Sequence, residues 1–327
     1  VRRRIRPVVA STALVLGLAA VQGVGVATHA LRGGEPPVRG LAALPASLRA
    51  DDRAERDVDA YAGPGTWVDV YDIGATGDPP TVTPADVDAM AEAGVRTIYL
   101  QAARDQGRGR PGVVAPAVLG AFLVRAHEHD MRVVGWYLPR FGDVDRDLAH
   151  LEAIATFEVF GHRFDGIAVD IEWTDDVPGH RERSARLVEL SQRLREAVGD
   201  EALGAIVMPP VHLEEVNTDL WPGFPWEELA DLYDVWLPMG YWTVRTPASG
   251  FRDAARYTDE NLARLRGHVG DDAVVHPIGG LAEDAGPDDV AGFAAQARRH
   301  DSIGASLYDW ATARPGAQLQ LATALGG

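Results

Sequence analysis

The 327-residue sequence contains no cysteine and no lysine. The first absence excludes disulfide scaffolds, thiolate zinc sites, iron–sulfur clusters and cysteine nucleophiles. The second makes all 31 basic residues arginine, and it leaves the glycine-rich stretch QGRGRPG without the lysine that a phosphate-binding loop needs. Basic charge is itself scarce: 48 acidic residues set the formal net charge at −17. A body of that sign repels polyphosphates and anionic polymers, so nucleic acid is excluded as a partner. No glycine-rich dinucleotide loop follows a candidate strand, and the strand ends lack the paired histidines that a metal-dependent barrel would carry. The reading therefore calls for no cofactor and no metal.

The chain opens VRRRIR and then runs from Pro7 to Leu31 without a formally charged residue. Arginines ahead of an apolar run have the layout of an export signal, and Thr28-His29-Ala30 offers a small-residue exit. The run is long for a signal core and nearly long enough to span a bilayer. Residues 1–30 are thus read as a signal peptide or a membrane anchor, the only membrane contact expected. The expected location is secreted or in the cell envelope, outside the cytoplasmic membrane. Residues 31–62 mix Pro, Gly, Ala, Arg and Asp without stable periodicity and read as a flexible linker.

From Gly63 to the end the pattern becomes regular. Apolar runs rich in β-branched and aromatic residues occur at 66–73, 95–101, 131–138, 164–173, 203–210, 233–242, 273–280 and 304–310. Amphipathic helical stretches separate most of them. Thr83-Pro84-Ala85-Asp86 carries helix-start chemistry, and Gly94 and Gly199 stand where helices should stop. Eight buried-type strands alternating with helices specify a single (β/α)8 barrel, an α/β fold, over residues 63–327.

Chemistry in such a barrel belongs at the C-terminal ends of its strands. The residues there are Asp72, Gln101, Trp136, Tyr137, Asp170, Glu172, Met208, Met239, Tyr241, His276 and the run Tyr308 to Trp310, with Trp242 beside Tyr241 as a further substrate-binding candidate. Carboxylates with aromatic rings suit sugars, whose C–H faces stack on aromatics and whose glycosidic bonds break with acid help. Asp170-Ile171-Glu172 is the sharpest feature, because period-two alternation puts both acids on one strand face. Two acids so placed repel, which raises a pKa toward the range a general acid needs. The aromatics of the loop at 211–229 (Trp221, Phe224 and Trp226) suit either a substrate wall or a plug on the rim.

The run Asp165-Gly166-Ile167-Ala168-Val169-Asp170-Ile171-Glu172 resembles the fourth-strand signature of family 18 glycoside hydrolases, the chitinase-like barrels. The resemblance implies Glu172 as the acid that protonates the leaving oxygen and Asp170 as its assisting acid. Met239-Gly240-Tyr241 is similar to the family's sixth-strand motif, which implies that Tyr241 supports the substrate acetamide. Trp310 looks like the tryptophan that floors the sugar site. Two positions depart from the pattern: Ala168 replaces an inner aspartate, and Trp242 stands where an aspartate usually follows the tyrosine. The expected function is an exported glycoside hydrolase acting on a polysaccharide or oligosaccharide. The alternative is a non-catalytic, lectin-like barrel that binds carbohydrate.

Overall fold

The computed structural model describes residues 56–107 and 109–326. The export segment and most of the tether lie outside the described residues. The strands are β1 (Gly63–Val68), β2 (Thr97–Gln101), β3 (Arg132–Tyr137), β4 (Glu158–Val159), β5 (His162–Arg163), β6 (Gly166–Ile171), β7 (Leu203–Val207), β8 (Val235–Pro238), β9 (Val274–Val275), β10 (Ile278–Leu281) and β11 (Gly304–Tyr308). The helices are α1 (Asp86–Glu92), α2 (Pro116–Glu128), α3 (Val144–Ala155), α4 (His180–Val198), α5 (Trp226–Ala230), α6 (Ala254–Val269), α7 (Pro287–Arg299) and α8 (Ala317–Leu325).

All strands except the small β4–β5 hairpin join one parallel sheet in the order β10-β11-β1-β2-β3-β6-β7-β8-β9. The two ends of that order are halves of one strand, interrupted at His276-Pro277, where proline offers no N–H to a ladder. A parallel bridge from Met239 to Ile278 links β8 to the second half and closes the sheet. The result is an eight-position parallel barrel with helices outside, as the alternating pattern requires.

Small residues make the barrel's lower core possible. Tyr61 lies fully buried under the strands and donates its hydroxyl to the carbonyls of Ile167 (2.7 Å) and Ala202 (3.1 Å). Its ring fills the space beside Gly166 and Gly204, where an added Cβ would come within 2.9 and 2.8 Å of it. The ordered body therefore begins before Gly63. Arg56 pairs with Asp234 at 2.9 Å, so residues 56–62, expected in the linker, pack onto the barrel.

Helix punctuation follows its chemistry. Thr83 donates its backbone N–H and its hydroxyl to Asp86 Oδ2, at 2.7 and 2.8 Å, just ahead of α1. Gly94 and Gly199 adopt φ of +80° and +59° at the ends of α1 and α4. In α4 the stripe of Leu187, Leu190 and Leu194 is fully buried. Among the described residues no helix is long and apolar enough to cross a membrane.

Candidate active site

In-register neighbours of a parallel sheet share a face, so the pairings Gln101 with Trp136 and Trp136 with Ala168 define one layer of inward side chains. Trp136 meets Trp67 of β1 edge-on at 5.9 Å, across the barrel interior. Asp170, two residues beyond Ala168, faces inward one layer higher, and Glu172 follows just past the end of β6. Ile171 is fully buried on the opposite face. The Asp170–Glu172 pair thus stands at the C-terminal mouth of the barrel.

Its electrostatics are unusual for carboxylates. Asp170 is buried, its Oδ1 has no hydrogen-bond partner, and desolvation together with the Glu172 charge holds its pKa well above the ordinary value. Burial pushes Glu172 up to about 7. Both shifts favour the neutral acid, the state that a proton donor must hold before it acts. Next in the chain, Trp173 turns to the outer rim: its Nε1 donates to Asp176 at 3.0 Å, and the Arg140 guanidinium lies 4.5 Å from its ring.

Tyr241, partly exposed, joins this mouth. Burial raises its pKa well above the ordinary tyrosine value, followed by the charges of Glu172, Asp170 and Asp309. Its ring lies 5.9 Å from that of Tyr308, the last residue of β11. Tyr308 donates its hydroxyl to Asp69 Oδ2 at 3.1 Å. Asp69, Asp72 and Asp309 are all buried and offer oxygens within 4.8 Å of one another. Burial pushes Asp72 up to about 7, helped by the charges of Asp69 and Asp309. Asp309 is raised for the same first reason.

That trio is the one group among the described residues close enough to share a cation. Its oxygens are already engaged by local donors. Asp69 Oδ1 accepts the N–H groups of Tyr71 and Asp72, Asp72 accepts from Asp69 N and Thr81 Oγ1, and Asp309 Oδ1 accepts the N–H and hydroxyl of Thr312. A divalent cation held here would take an oxygen from each of the three acids, complete its shell with water, and compete with these local donors.

Several expected site residues fall elsewhere. Strand β1 ends at Val68, so Asp72 lies in the turn beyond it; Asp69 caps that turn and stops the strand early. Gln101 faces inward, with its Oε1 accepting from Val70 N at 3.1 Å. Tyr137 follows inward-facing Trp136 and therefore points out, donating its hydroxyl to Asp147 of α3 at 2.6 Å and stacking on His150. It does not join the mouth. Met208 is half-buried two residues past inward-facing Ile206, and Met239 is buried at the closing bridge.

Trp242 is fully buried in the outer core, 5.2 Å from Phe293 of α7, and cannot stack on a ligand in the barrel mouth. His276 sits deep in the barrel with its Nδ1 2.7 Å from the Tyr61 carbonyl and its pKa pushed down to about 4 by burial. It serves the barrel floor. Trp310, half-exposed, donates its backbone N–H to the Trp67 carbonyl, while Tyr308 holds the ring position against Tyr241. Asp69 was not singled out in the sequence; its only sequence-level signal is the Asp-x-x-Asp spacing of a turn.

The loop at 211–229 packs its aromatics against the outer helices and the rim. Trp221 packs under Arg183 at 4.2 Å and against Phe141 and Phe224, while Trp226 stacks on His268. These rings anchor the loop on the rim.

No protein-family model matches the chain, and no curated protein matches it. Solved structures do match in fold. A class V chitinase from Pseudomonas fluorescens Pf-5 has 11% identity and a TM-score of 0.57, covering 81% of this chain and 99% of the other. An endo-1,4-β-mannanase from Rhizomucor miehei has 9% identity and a TM-score of 0.57, with 81% and 94% covered. A chitinase-like agglutinin from Robinia pseudoacacia has 11% identity and a TM-score of 0.53, with 80% and 99% covered. At these identities the likeness establishes a chitinase-like barrel fold.

Proposed function

We propose that this chitinase-like barrel is a glycoside hydrolase in which Glu172 is the general acid and Asp170 its assisting acid. The observation that carries the reading is the inward-facing, mutually coupled pair at the barrel mouth, with the pKa of Glu172 pushed up to about 7 by burial. In the forward step the Glu172 proton passes to the glycosidic oxygen as the C1–O bond breaks. Water then adds at C1, and the proton it releases restores the acid pair. Asp170 lies one layer below Glu172 and tunes it by charge and proton sharing. Tyr241, whose ring is backed by that of Tyr308 at 5.9 Å, supplies aromatic surface beside the pair.

A second reading is favoured by one observation. Ala168 occupies the inward position below Asp170, so the ladder of acids is one short, and a neighbour in fold is named an agglutinin. On that reading the barrel binds sugar without cleaving it. A panel of polysaccharides incubated with the protein distinguishes the two. New reducing ends formed by the wild type and not by Glu172→Gln support hydrolysis. Binding without reducing ends supports the lectin reading and removes the first.

We further place the barrel outside the cytoplasmic membrane. The support is the arginine-led uncharged segment Pro7–Leu31. Cell fractionation tests this, and recovery of the full-length chain in the cytoplasm would overturn it.

A further inference from the structure

We propose that the β4–β5 hairpin is an acid-released flap, latched onto α2 by a single hydrogen shared between His127 and His162. The proposal is independent of the hydrolase reading and concerns the outer wall of the barrel.

The hairpin cannot hold its own shape. Each strand has two residues, Glu158–Val159 and His162–Arg163, and an isolated two-stranded ribbon is marginal even when longer. Its turn is costly as well, because the bulky Phe160 takes φ of +50° ahead of Gly161 at +80°. Phe160 gains no burial in return, being 93% exposed. The hairpin therefore depends on what it touches. At its base the Phe157 and Phe164 rings meet at 5.8 Å, and Arg163 donates to the Ala155 carbonyl at 2.7 Å. Farther out Val159 lies on α2 against Gly120, where an added Cβ would come within 2.9 Å of the valine. Among the described residues, the polar tie from hairpin to α2 is the 2.8 Å bond between His162 Nδ1 and His127 Nδ1.

The neighbours of that tie fix its proton count. Asp165 Oδ2 accepts the Val133 N–H at 2.8 Å and lies 2.9 Å from His127 Nε2, so Nε2 carries the hydrogen of that second bond. A neutral His127 then presents a lone pair at Nδ1, and His162 Nδ1–H donates to it. A protonated His127 reverses the direction, its own Nδ1–H donating to His162. Either way one hydrogen lies between the two rings. A second would set two N–H groups of two cations head-on with no acceptor, and the bond cannot outlast it. Once parted, each ring takes its own proton in acid, so the open flap binds one proton more than the latched one. A metal is the poorer occupant: two nitrogens on one tetrahedral zinc stand about 3.3 Å apart, wider than the observed 2.8 Å.

The surrounding charges offer no substitute. On α2 Arg125 pairs with Asp88 and Glu128, and beyond it His129 pairs with Asp88. On β3 Arg132 reaches Asp165 at 3.4 Å, and on the hairpin Glu158 stands opposite Arg163. Asp165 is the acid bonded to the pair, and it already holds the far nitrogen of His127. Release bares Gly120 with Ala117, Ala121 and Val124, which line a groove of about 710 Å³ that Val159 and Phe160 share. Acid thereby uncovers an apolar face on α2.

The test is amide hydrogen exchange of the full chain from pH 7.5 to pH 5, corrected for intrinsic exchange chemistry and read on residues 157–165. The open flap binds more protons, so the latch is fully present above the ordinary imidazole value of about 6.5 and is lost as pH falls below it. One extra proton sets the slope: protection should fall by up to about tenfold per pH unit in that range, while α4 shows no such slope. His162→Gln and His127→Gln each remove one of the two titrating rings, and both should abolish the slope, whatever their level of protection. A level wild-type profile, a fall shared by α4, or a slope retained in both variants would overturn the proposal. Nitrogen-15 NMR of labelled histidine gives a reading that needs no variant. A coupling across the Nδ1–H···Nδ1 bond should be present at pH 7.5 and lost at pH 5, and its absence at pH 7.5 or its survival at pH 5 would equally overturn the latch.

Discussion

Tyr308 donates its hydroxyl to Asp69 at 3.1 Å, a bond that joins the last strand of the barrel to the turn after the first. Residues 239 positions apart in sequence meet there, and the bond closes the mouth on the side facing Tyr241. Tyr308→Phe keeps the ring and removes the donor, leaving Asp69 Oδ2 less satisfied in a buried place. Stability should fall by about 1–3 kcal/mol in urea unfolding. An unchanged midpoint would mean the bond contributes nothing to closure.

The pH dependence of stability should carry the mark of Asp72. Its pKa rises on folding from 3.8 to about 7, chiefly through burial. The folded state therefore holds a proton that the unfolded state has lost, so the contribution is fully present below about pH 4 and disappears as pH rises through about 7. Asp72→Asn cannot ionise. Relative to wild type, the variant should gain stability between pH 5 and pH 8, by roughly 1–3 kcal/mol. Parallel thermal melts at the two pH values measure this, and parallel pH curves for the two proteins would contradict it.

Two adjacent aromatics should respond in opposite ways. Trp242 fills the outer core against Phe293, so Trp242→Ala should cost about 3–5 kcal/mol of stability. Tyr241 faces the acid pair. Tyr241→Phe should leave the melt nearly unchanged and lower turnover. The reverse pattern in paired melting and rate measurements would exchange their roles.

Much of the barrel was legible because strands buried on both faces must read as apolar runs, and helices between them need caps and stops. The acid pair was legible because alternation over three residues is a local rule. The errors came where local rules end. Trp136 and Tyr137 both stand at the end of β3, yet alternation lets only one face inward. Asp72 was read as a strand end because the side chain of Asp69, which breaks the strand by bonding Tyr71 N and Asp72 N, is invisible in an apolar pattern. The trio with Asp309 is a product of barrel closure, and no window of sequence contains it.

Catalysis should decline on the alkaline side. A general acid must be protonated, and Glu172 holds its proton up to about pH 7 because burial disfavours its charge. The rate should be level below that value and fall as pH rises through it. Asp170→Asn should displace this limb as well as lower the plateau, since the two acids titrate together. A limb near pH 4 to 5, typical of an exposed glutamate, would remove the acid assignment.

The most direct test of Glu172 compares wild type and Glu172→Gln on one natural oligosaccharide and on an aryl glycoside of the same sugar. Glutamine keeps the volume but has no acid proton to give. The account predicts a loss of about 10²–10⁴-fold on the oligosaccharide, with partial rescue on the aryl glycoside, whose leaving group needs little protonation. Wild-type rates for Glu172→Gln on the oligosaccharide would contradict it.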